Sequence, residues 1–169
     1  MPTRIAHATW TGTLQSGTGT FNGDSGLSGN YSFASRFQDG TGSTPEELLA
    51  AAQAACFSMA LEAALEKHGT PATSVQTDAA CSIVKEGDGL RITLMQLRVR
   101  AAVANLDNDH FVKIANKTLK ECPVSKALTG IPEVTLDAAL VPVSAPGDGG
   151  MQPMFFQSGS GGTFPNIRI

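Results

Sequence analysis

The amino-acid sequence predicts an α+β fold, and three features of its pattern indicate it. Short apolar segments separated by glycine-rich turns in residues 5–38 are typical of strands. The Ala- and Leu-rich segment of residues 51–69 predicts a helix of several turns. A hairpin pattern around the turn at residues 87–89 predicts two longer strands. Strands and helices therefore follow each other in blocks, as in α+β proteins.

The first block is expected to contain three short strands. They lie within the segments AHATWTGTL, GTGTF and GNYSFASRF, which are residues 6–14, 17–21 and 29–37. Glycine-rich turns separate these segments. We interpret the two large aromatic residues there, Trp10 and Tyr31, as packing residues.

The start of the first long helix is well specified by its residues. Thr44 is a suitable N-cap, Pro45 fits the first helical position, and Glu47 completes a capping-box spacing. The helix is expected to continue to about His68, where Gly69 ends it. Apolar residues lie on most of its faces, so we expect most of its length to be buried.

The second half of the domain is expected to begin with a long hairpin. Its strands are predicted at about residues 73–86 and 90–103. A second helix is expected over residues 108–122, followed by a short helix with Pro123 at its first position. The segment EVTLDAAL, residues 133–140, predicts a closing strand.

The composition changes near residue 141. We therefore divide the chain into one domain, residues 1–141, and a Gly-, Pro- and Ser-rich extension, residues 142–169. Two interpretations of the extension remain open at this point. It is a loosely ordered tail, or its apolar residues bind a groove or a partner chain; these residues are Met154, Phe155, Phe156 and Phe164.

Charge and hydropathy exclude several classes of function. The net charge is −3 and no basic cluster occurs, which argues against nucleic-acid binding. No secretion signal is recognisable, and polar residues interrupt the apolar run of residues 48–65, so we expect no membrane span and a cytoplasmic location. Only 16% of residues are charged, below the usual quarter, which favours a homo-oligomer with part of its surface covered.

The three cysteines do not suggest a disulfide framework. Their number is odd, and Cys56, Cys81 and Cys122 are widely spaced. No CxxC or HxxxH spacing occurs, so a zinc site is not expected. Cys81 lies within a predicted strand without a cation nearby in sequence, and we assign it no role.

Cys56 and Cys122 each allow an inert and a reactive interpretation. A buried cysteine is often only a small apolar residue. Cys122, however, precedes Pro123 near the N-cap of a short helix, where the pKa of a thiol is lowered. Cys56 lies in mid-helix and would need a cation, for which Arg36 is the candidate. Glu46 is available to orient Arg36, since Glu47 is explained by capping.

Two segments resemble a known family. RFQDGTGSTPEELLAAAQAACFSMAL together with KECPVSKAL is similar to the OsmC/Ohr family of osmotically inducible proteins C and organic hydroperoxide resistance proteins. The resemblance covers about residues 5–140, and the form of the first segment is closer to the OsmC branch. The extension of residues 142–169 has no counterpart in it.

The resemblance implies a thiol-dependent peroxidase without a metal or other cofactor. Cys56 matches the cysteine that attacks the peroxide, and Cys122 matches the resolving cysteine. Arg36 and Glu46 match the Arg–Glu pair around the reacting thiol. The implied substrates are organic hydroperoxides and, more weakly, hydrogen peroxide, with a dithiol such as a dihydrolipoyl group as reductant and a role in stress defence.

The resemblance also implies an intertwined homodimer. Two long central helices lie back to back, antiparallel sheets wrap around them, and the active sites lie at the subunit interface. Phe37, Phe57 and Met59 are plausible neighbours of the substrate. Two other functions remain open: a redox sensor that acts without turnover, and a dimer that binds a small lipid-like ligand.

Overall fold

The computed structural model describes residues 3–143, which form two compact units. Of the described residues, the first unit consists of residues 3–53, 79–96 and 127–135. The second consists of residues 54–78, 97–126 and 136–143. The predictions for the extension beyond residue 143, including its apolar residues, lie outside the described residues.

The first unit contains an antiparallel sheet of three strands, in the order β1-β2-β3. The strands are β1 (Ala6–Thr11), β2 (Thr18–Gly23) and β3 (Ser28–Ser32). The prediction of three short strands is thus confirmed, with one correction at the end of the third segment. Residues 33–37 form a short helix, α1 (Phe33–Phe37), because Ser32 and Ser35 form a reciprocal capping box that favours helix over strand.

The long helix α2 (Pro45–His68) has the predicted ends. At its start, the backbone N–H of Glu47 donates to Thr44 Oγ1 at 3.1 Å. At its end, Gly69 adopts a positive φ of 86°. Its N–H donates to the Glu66 carbonyl and the N–H of Thr70 donates to the Leu65 carbonyl, which together form a Schellman motif.

The burial of α2 differs from the prediction. One face is fully buried, through Gln53, Phe57, Leu61 and Leu65 at four-residue spacing. The opposite face is exposed along a stripe of small and apolar residues; this stripe consists of Ala51, Ala52, Ala55, Met59 and Ala63. Met59 is 77% exposed, so within one chain only part of the helix surface is covered.

By length and composition alone, α2 would also be able to cross a membrane. Its most apolar 18 residues have a mean hydropathy of 1.6, and 28% of them are buried. Core helices of soluble proteins satisfy the same criterion. Gln53, Ser58 and Glu62 place polar groups within the helix, as they did in the sequence interpretation.

The predicted hairpin forms the first two strands of a second sheet, whose order is β4-β5-β6. Its strands are β4 (Ala72–Glu86), β5 (Gly89–Val103) and β6 (Glu133–Leu140). Gly87 takes a positive φ of 59° in the turn, which glycine adopts without strain. Alternate residues of β5 are buried, and they are Met95, Leu97, Val99 and Ala101.

Two helices precede β6, as the sequence predicts. They are α3 (Asn108–Glu121), which Asp107 caps, and α4 (Pro123–Ala127). Phe111 and Ala115 are the fully buried residues of the apolar stripe of α3. Phe111 and Ala115 belong to the core of the second unit. The other core residues are Phe57, Leu61 and Leu65 of α2 and the buried residues of β5 from Leu97 onward. Cys122, also fully buried, ends α3 within this unit.

Candidate active site

The structure brings together the two cysteines that the sequence singled out. The Sγ atoms of Cys56 and Cys122 are 3.3 Å apart, although the residues are 66 positions apart in the chain. The two thiols are not bonded to each other. Since the sulfur atoms of a disulfide are about 2.05 Å apart, an approach of only about 1.2 Å would join them.

The two thiols of the pair have different environments. Burial raises the pKa of the Cys56 thiol, and the Cys122 sulfur raises it further, against a hydrogen bond from the backbone of Val124 that lowers it. Burial also acts to raise the pKa of Cys122, but hydrogen bonds from Ser125, Cys56 and Val124 outweigh it and lower the pKa overall. Within one chain, Cys122 is thus the more acidic thiol.

The lowered pKa of Cys122 has a local structural cause. Cys122 immediately precedes α4, and the N–H of Lys126 donates to its carbonyl, which places Cys122 at the N-cap. Its sulfur accepts hydrogen bonds from the backbone of Ser125 and Val124 and from the Ser125 side chain. The predicted effect of the helix start on Cys122 is therefore confirmed in direction.

Arg36 and Glu46 form the ion pair that the sequence predicts. Arg36 Nη2 donates to Glu46 Oε1 at 2.6 Å, and Arg36 Nε lies 3.2 and 3.3 Å from the two carboxylate oxygens. The Glu46 residue is 6% exposed, in the first turn of α2, where a negative charge is favoured. Such a two-pronged contact fixes the orientation of the guanidinium group.

The position of Arg36 depends on the turns around α1. The N–H groups of Ser32 and Ser35 donate to each other's hydroxyl oxygens, at 2.9 and 3.0 Å. The Ser35 hydroxyl also lies 3.1 Å from the Ser43 carbonyl, just before α2. Arg36 thus belongs to a short helix that hydrogen bonds tie to the start of α2. The Phe37 ring lies beside its guanidinium, 5.2 Å from the central carbon.

Arg36 also lines a cleft of the first unit, with a volume of about 520 Å³. The other polar side chain that lines this cleft is that of Arg91, which forms an ion pair with Glu86. The apolar side chains of the cleft are Ile83, Leu90, Ile92, Ala127, Leu128 and Ile131. The residues that the sequence suggested as substrate neighbours are absent from this lining: Phe57 is fully buried, while Phe37 and Met59 are exposed.

The third cysteine, Cys81, belongs to the first unit. It is partly buried in β4, and burial followed by the negative charge of Glu46 raises the pKa of its thiol. Among residues 3–143, no three His, Cys, Asp or Glu side chains are grouped so as to hold a metal ion.

The four predicted site residues thus form two pairs. Cys56 and Cys122 belong to the second unit, and Arg36 and Glu46 belong to the first. Sequence reasoning missed Ser125, whose hydroxyl and N–H contact Cys122. The signal was present in the spacing, because Ser125 is three residues after an N-cap position, where a capping partner is expected.

Comparison with known proteins relates this arrangement to one family. Residues 38–137 match a family described as "OsmC-like protein". The peroxiredoxin OsmC of Escherichia coli (strain K12) is 41% identical over 135 residues, which cover 79% of this chain and 93% of that protein. An organic hydroperoxide resistance protein of Xanthomonas axonopodis pv. citri is 33% identical over 103 residues, which cover 59% and 69% of the two chains.

The fold is also similar to solved structures. The crystal structure of the organic hydroperoxide resistance protein OhrB of Bacillus subtilis matches with a TM-score of 0.60 and 27% sequence identity. The match covers 81% of this chain and 98% of that protein.

Proposed function

The chain belongs to the OsmC family, and from that premise we propose that it is a cysteine-based peroxidase that reduces organic hydroperoxides. The observation that carries this proposal is the pair of thiols 3.3 Å apart, Cys56 and Cys122. Relatives named as a peroxiredoxin and as an organic hydroperoxide resistance protein support it. The reaction needs no metal or other cofactor, since thiol sulfur supplies both electrons. We expect the protein to act in peroxide defence in the cytoplasm.

In the first step, the Cys56 thiolate attacks the terminal oxygen of the hydroperoxide. A sulfur–oxygen bond forms and the oxygen–oxygen bond breaks, so that the alcohol leaves after taking up a proton. Cys56 becomes a sulfenic acid. A thiolate is required because it is the nucleophilic form of cysteine.

In the second step, Cys122 attacks the sulfenic sulfur of Cys56. The Cys56–Cys122 disulfide forms and water leaves with the sulfenic oxygen. The 3.3 Å separation supports this step, because resolution requires little movement. A dithiol, such as a dihydrolipoyl group, then reduces the disulfide and restores both thiols.

The raised pKa of Cys56 means that its thiolate needs a cation. We assign this role to Arg36, with Glu46 holding the guanidinium by its two-pronged contact. A second copy of the chain supplies the pair in this proposal. Glu46 and Cys56 are ten residues apart on α2, which corresponds to about 15 Å along the helix axis, more than one arginine side chain spans.

The exposed stripe of α2 supports the same homodimer. Small residues such as Ala51, Ala55 and Ala63, with the 77% exposed Met59, would let a second α2 approach closely. The two helices would lie back to back, and each Arg36–Glu46 pair would reach the cysteine pair of the other subunit. This arrangement is the intertwined dimer that the sequence resemblance implies, with active sites at the interface.

The cleft beside Arg36 supports a preference for organic over hydrogen peroxide. Its lining is mostly apolar, and each CH₂ group that a substrate buries there contributes about 0.8 kcal/mol. Hydrogen peroxide has no apolar group to bury, so it would be the weaker substrate.

The direct test is consumption of tert-butyl hydroperoxide by the full chain, with dithiothreitol as reductant. We expect rapid turnover by the wild type and its loss, by at least about a thousandfold, in Cys56→Ser. Cys81→Ser is the matched control, since it removes a thiol outside the pair and should retain activity. Hydrogen peroxide as a second substrate reports the contribution of the apolar cleft.

Absence of turnover by the folded, reduced wild type would contradict the proposal. An equal rate in wild type and Cys56→Ser would remove Cys56 from the reaction. Absence of turnover together with reversible oxidation of Cys56 would instead favour a redox sensor.

A further inference from the structure

We propose that reductive recycling runs in one direction: the dithiol attacks Cys56, and Cys122 leaves as a thiolate held by the side chain and backbone of Ser125. This inference rests on the proposed peroxidase function and adds two things to it. It identifies which sulfur of the disulfide receives the reductant, and it assigns a role to Ser125.

Access to the two sulfur atoms differs. Within one chain, Cys122 is 0% exposed, whereas Cys56 is partly exposed. A thiolate attacks a disulfide along the sulfur–sulfur axis, from the side opposite the leaving sulfur, so the attacked atom must be open on its outer side. Because the pair needs an approach of only about 1.2 Å to form the disulfide, the same difference in access persists in the oxidised protein.

Stabilisation of the leaving sulfur favours the same direction. In thiol–disulfide exchange, the sulfur that is the better-stabilised thiolate leaves faster. Cys122 accepts hydrogen bonds from the Ser125 N–H, the Ser125 side chain and the Val124 N–H. Within one chain, Cys56 receives a backbone hydrogen bond from Val124 and otherwise has Cys122 as its neighbour, so the donors of Ser125 are particular to Cys122. In the proposed dimer Arg36 of the second copy reaches Cys56 as well, so access decides the direction of attack and Ser125 favours the departure of Cys122. Hydrogen-bond donors of Ser125 and Val124 are therefore already in place to stabilise the negative charge that develops on Cys122.

The step balances in atoms and electrons. A reductant thiolate forms a bond to Cys56 Sγ while the Cys56–Cys122 bond breaks, and the bonding pair leaves on Cys122 Sγ. The second thiol of the reductant loses its proton to solvent and attacks the reductant sulfur of the mixed disulfide. Cys56 is released as a thiolate, and the reductant becomes a cyclic disulfide that has supplied two electrons.

The first experiment maps the attacked sulfur. Full-length protein in a Cys81→Ser background is oxidised with one equivalent of tert-butyl hydroperoxide, treated briefly with 2-mercaptoethanol, and quenched with acid and N-ethylmaleimide. Cleavage after lysine and arginine separates Cys56, in peptide 37–67, from Cys122, in peptide 121–126. We expect the mercaptoethanol adduct on Cys56 and the maleimide on Cys122; the reverse distribution, or an equal one, would overturn the proposal.

The second experiment tests Ser125. The preformed disulfide of Ser125→Ala should be reduced by dithiothreitol about fivefold more slowly than that of the wild type, since one hydrogen bond to the leaving thiolate is lost. Ser125→Thr retains a hydroxyl and should restore the rate. Ser58→Ala is the matched control, because its hydroxyl bonds to Thr77 Oγ1 at 2.8 Å and not to the cysteine pair.

The rate of peroxide consumption in a single turnover separates this role from a structural one. It should decrease clearly less than the rate of disulfide reduction in Ser125→Ala, because Cys122 is not the leaving group in that step. Equal losses in peroxide reduction and disulfide reduction, or no loss in either, would overturn the role of Ser125. Failure of the wild type to form the Cys56–Cys122 disulfide at all would instead refute the peroxidase proposal, and the oxidation step detects that failure before any reductant is added.

Discussion

The two pairs of candidate residues are built in opposite ways. Arg36 and Glu46 are ten positions apart and are joined by local structure, through the capping of α1 and the first turn of α2. Cys56 and Cys122 are 66 positions apart, on α2 and at the end of α3, and only the core of the second unit brings them to 3.3 Å. One pair depends on turn chemistry and the other on tertiary packing.

This difference indicates a division of labour in the proposed reaction. The cysteine pair holds all the redox chemistry, and its geometry is fixed within one compact unit. The ion pair contains the positive charge that is proposed to stabilise the Cys56 thiolate. Hydrogen bonds of Ser32 and Ser35 stabilise the segment that contains Arg36. Variants of the cysteine pair should therefore act on single steps of the cycle, whereas variants of the ion pair should act on the rate of attack.

The largest expected effect within this comparison is that of Cys122→Ser. Multiple turnover with dithiothreitol should be lost, while the first equivalent of peroxide is consumed at nearly the wild-type rate. Without a resolving thiol, Cys56 should accumulate as sulfinic and sulfonic acid. Rapid-mixing kinetics and mass spectrometry measure the two effects. Recycling at the wild-type rate, with Cys81→Ser as reference, would argue against a resolving role.

A smaller effect is expected for Arg36→Ala. Loss of the guanidinium should raise the pKa of Cys56 and slow peroxide consumption about a hundredfold, which corresponds to about 2.7 kcal/mol of transition-state stabilisation. The absorbance of the thiolate during a pH titration in a Cys81→Ser and Cys122→Ser background measures the pKa of Cys56, since Cys56 is then the remaining thiol. Arg36→Lys keeps a positive charge but loses the planar guanidinium. Its rate of peroxide consumption should lie between those of the wild type and Arg36→Ala.

Mixing two variants tests whether the pairs meet across subunits. Arg36→Ala and Cys56→Ser, unfolded together and refolded as a mixture, should regain about a quarter of wild-type activity. Half of the dimers are then mixed, and each mixed dimer has one complete site out of two. A mixture no more active than its components would contradict the site at the interface.

The smallest expected effect is that of Ser32→Ala, which removes one half of the capping box of α1. The free energy of unfolding should decrease by about 1 kcal/mol, measured by urea denaturation. Peroxide consumption should decrease severalfold, since Arg36 lies in that helix. Ser28→Ala, at the exposed start of β3, is the control. An unchanged rate in Ser32→Ala would show that Arg36 does not depend on this cap.

Much of the fold is predictable from local signals. The ends of α2 follow from Thr44, Pro45 and Gly69, and the hairpin follows from the turn at Gly87. The prediction failed at residues 33–37, where the serine at position 35 turns an apparent strand into a helix. Within one chain, less of α2 is buried than was predicted, because composition does not specify which faces of an all-round apolar helix the same chain covers.

By itself, the sequence determined most of the elements, because propensities, caps and short spacings act over a few residues. It offered Arg36, Glu46 and the two thiols only as candidates, whose roles the family resemblance implied. Only the tertiary structure decided that Cys56 and Cys122 lie 3.3 Å apart, with surroundings that, within one chain, raise the pKa of Cys56 and lower that of Cys122. The physical reason is that the pKa of a thiol depends on its burial and on the donors around it. Those neighbours come from distant parts of the chain, which only the packed fold brings together.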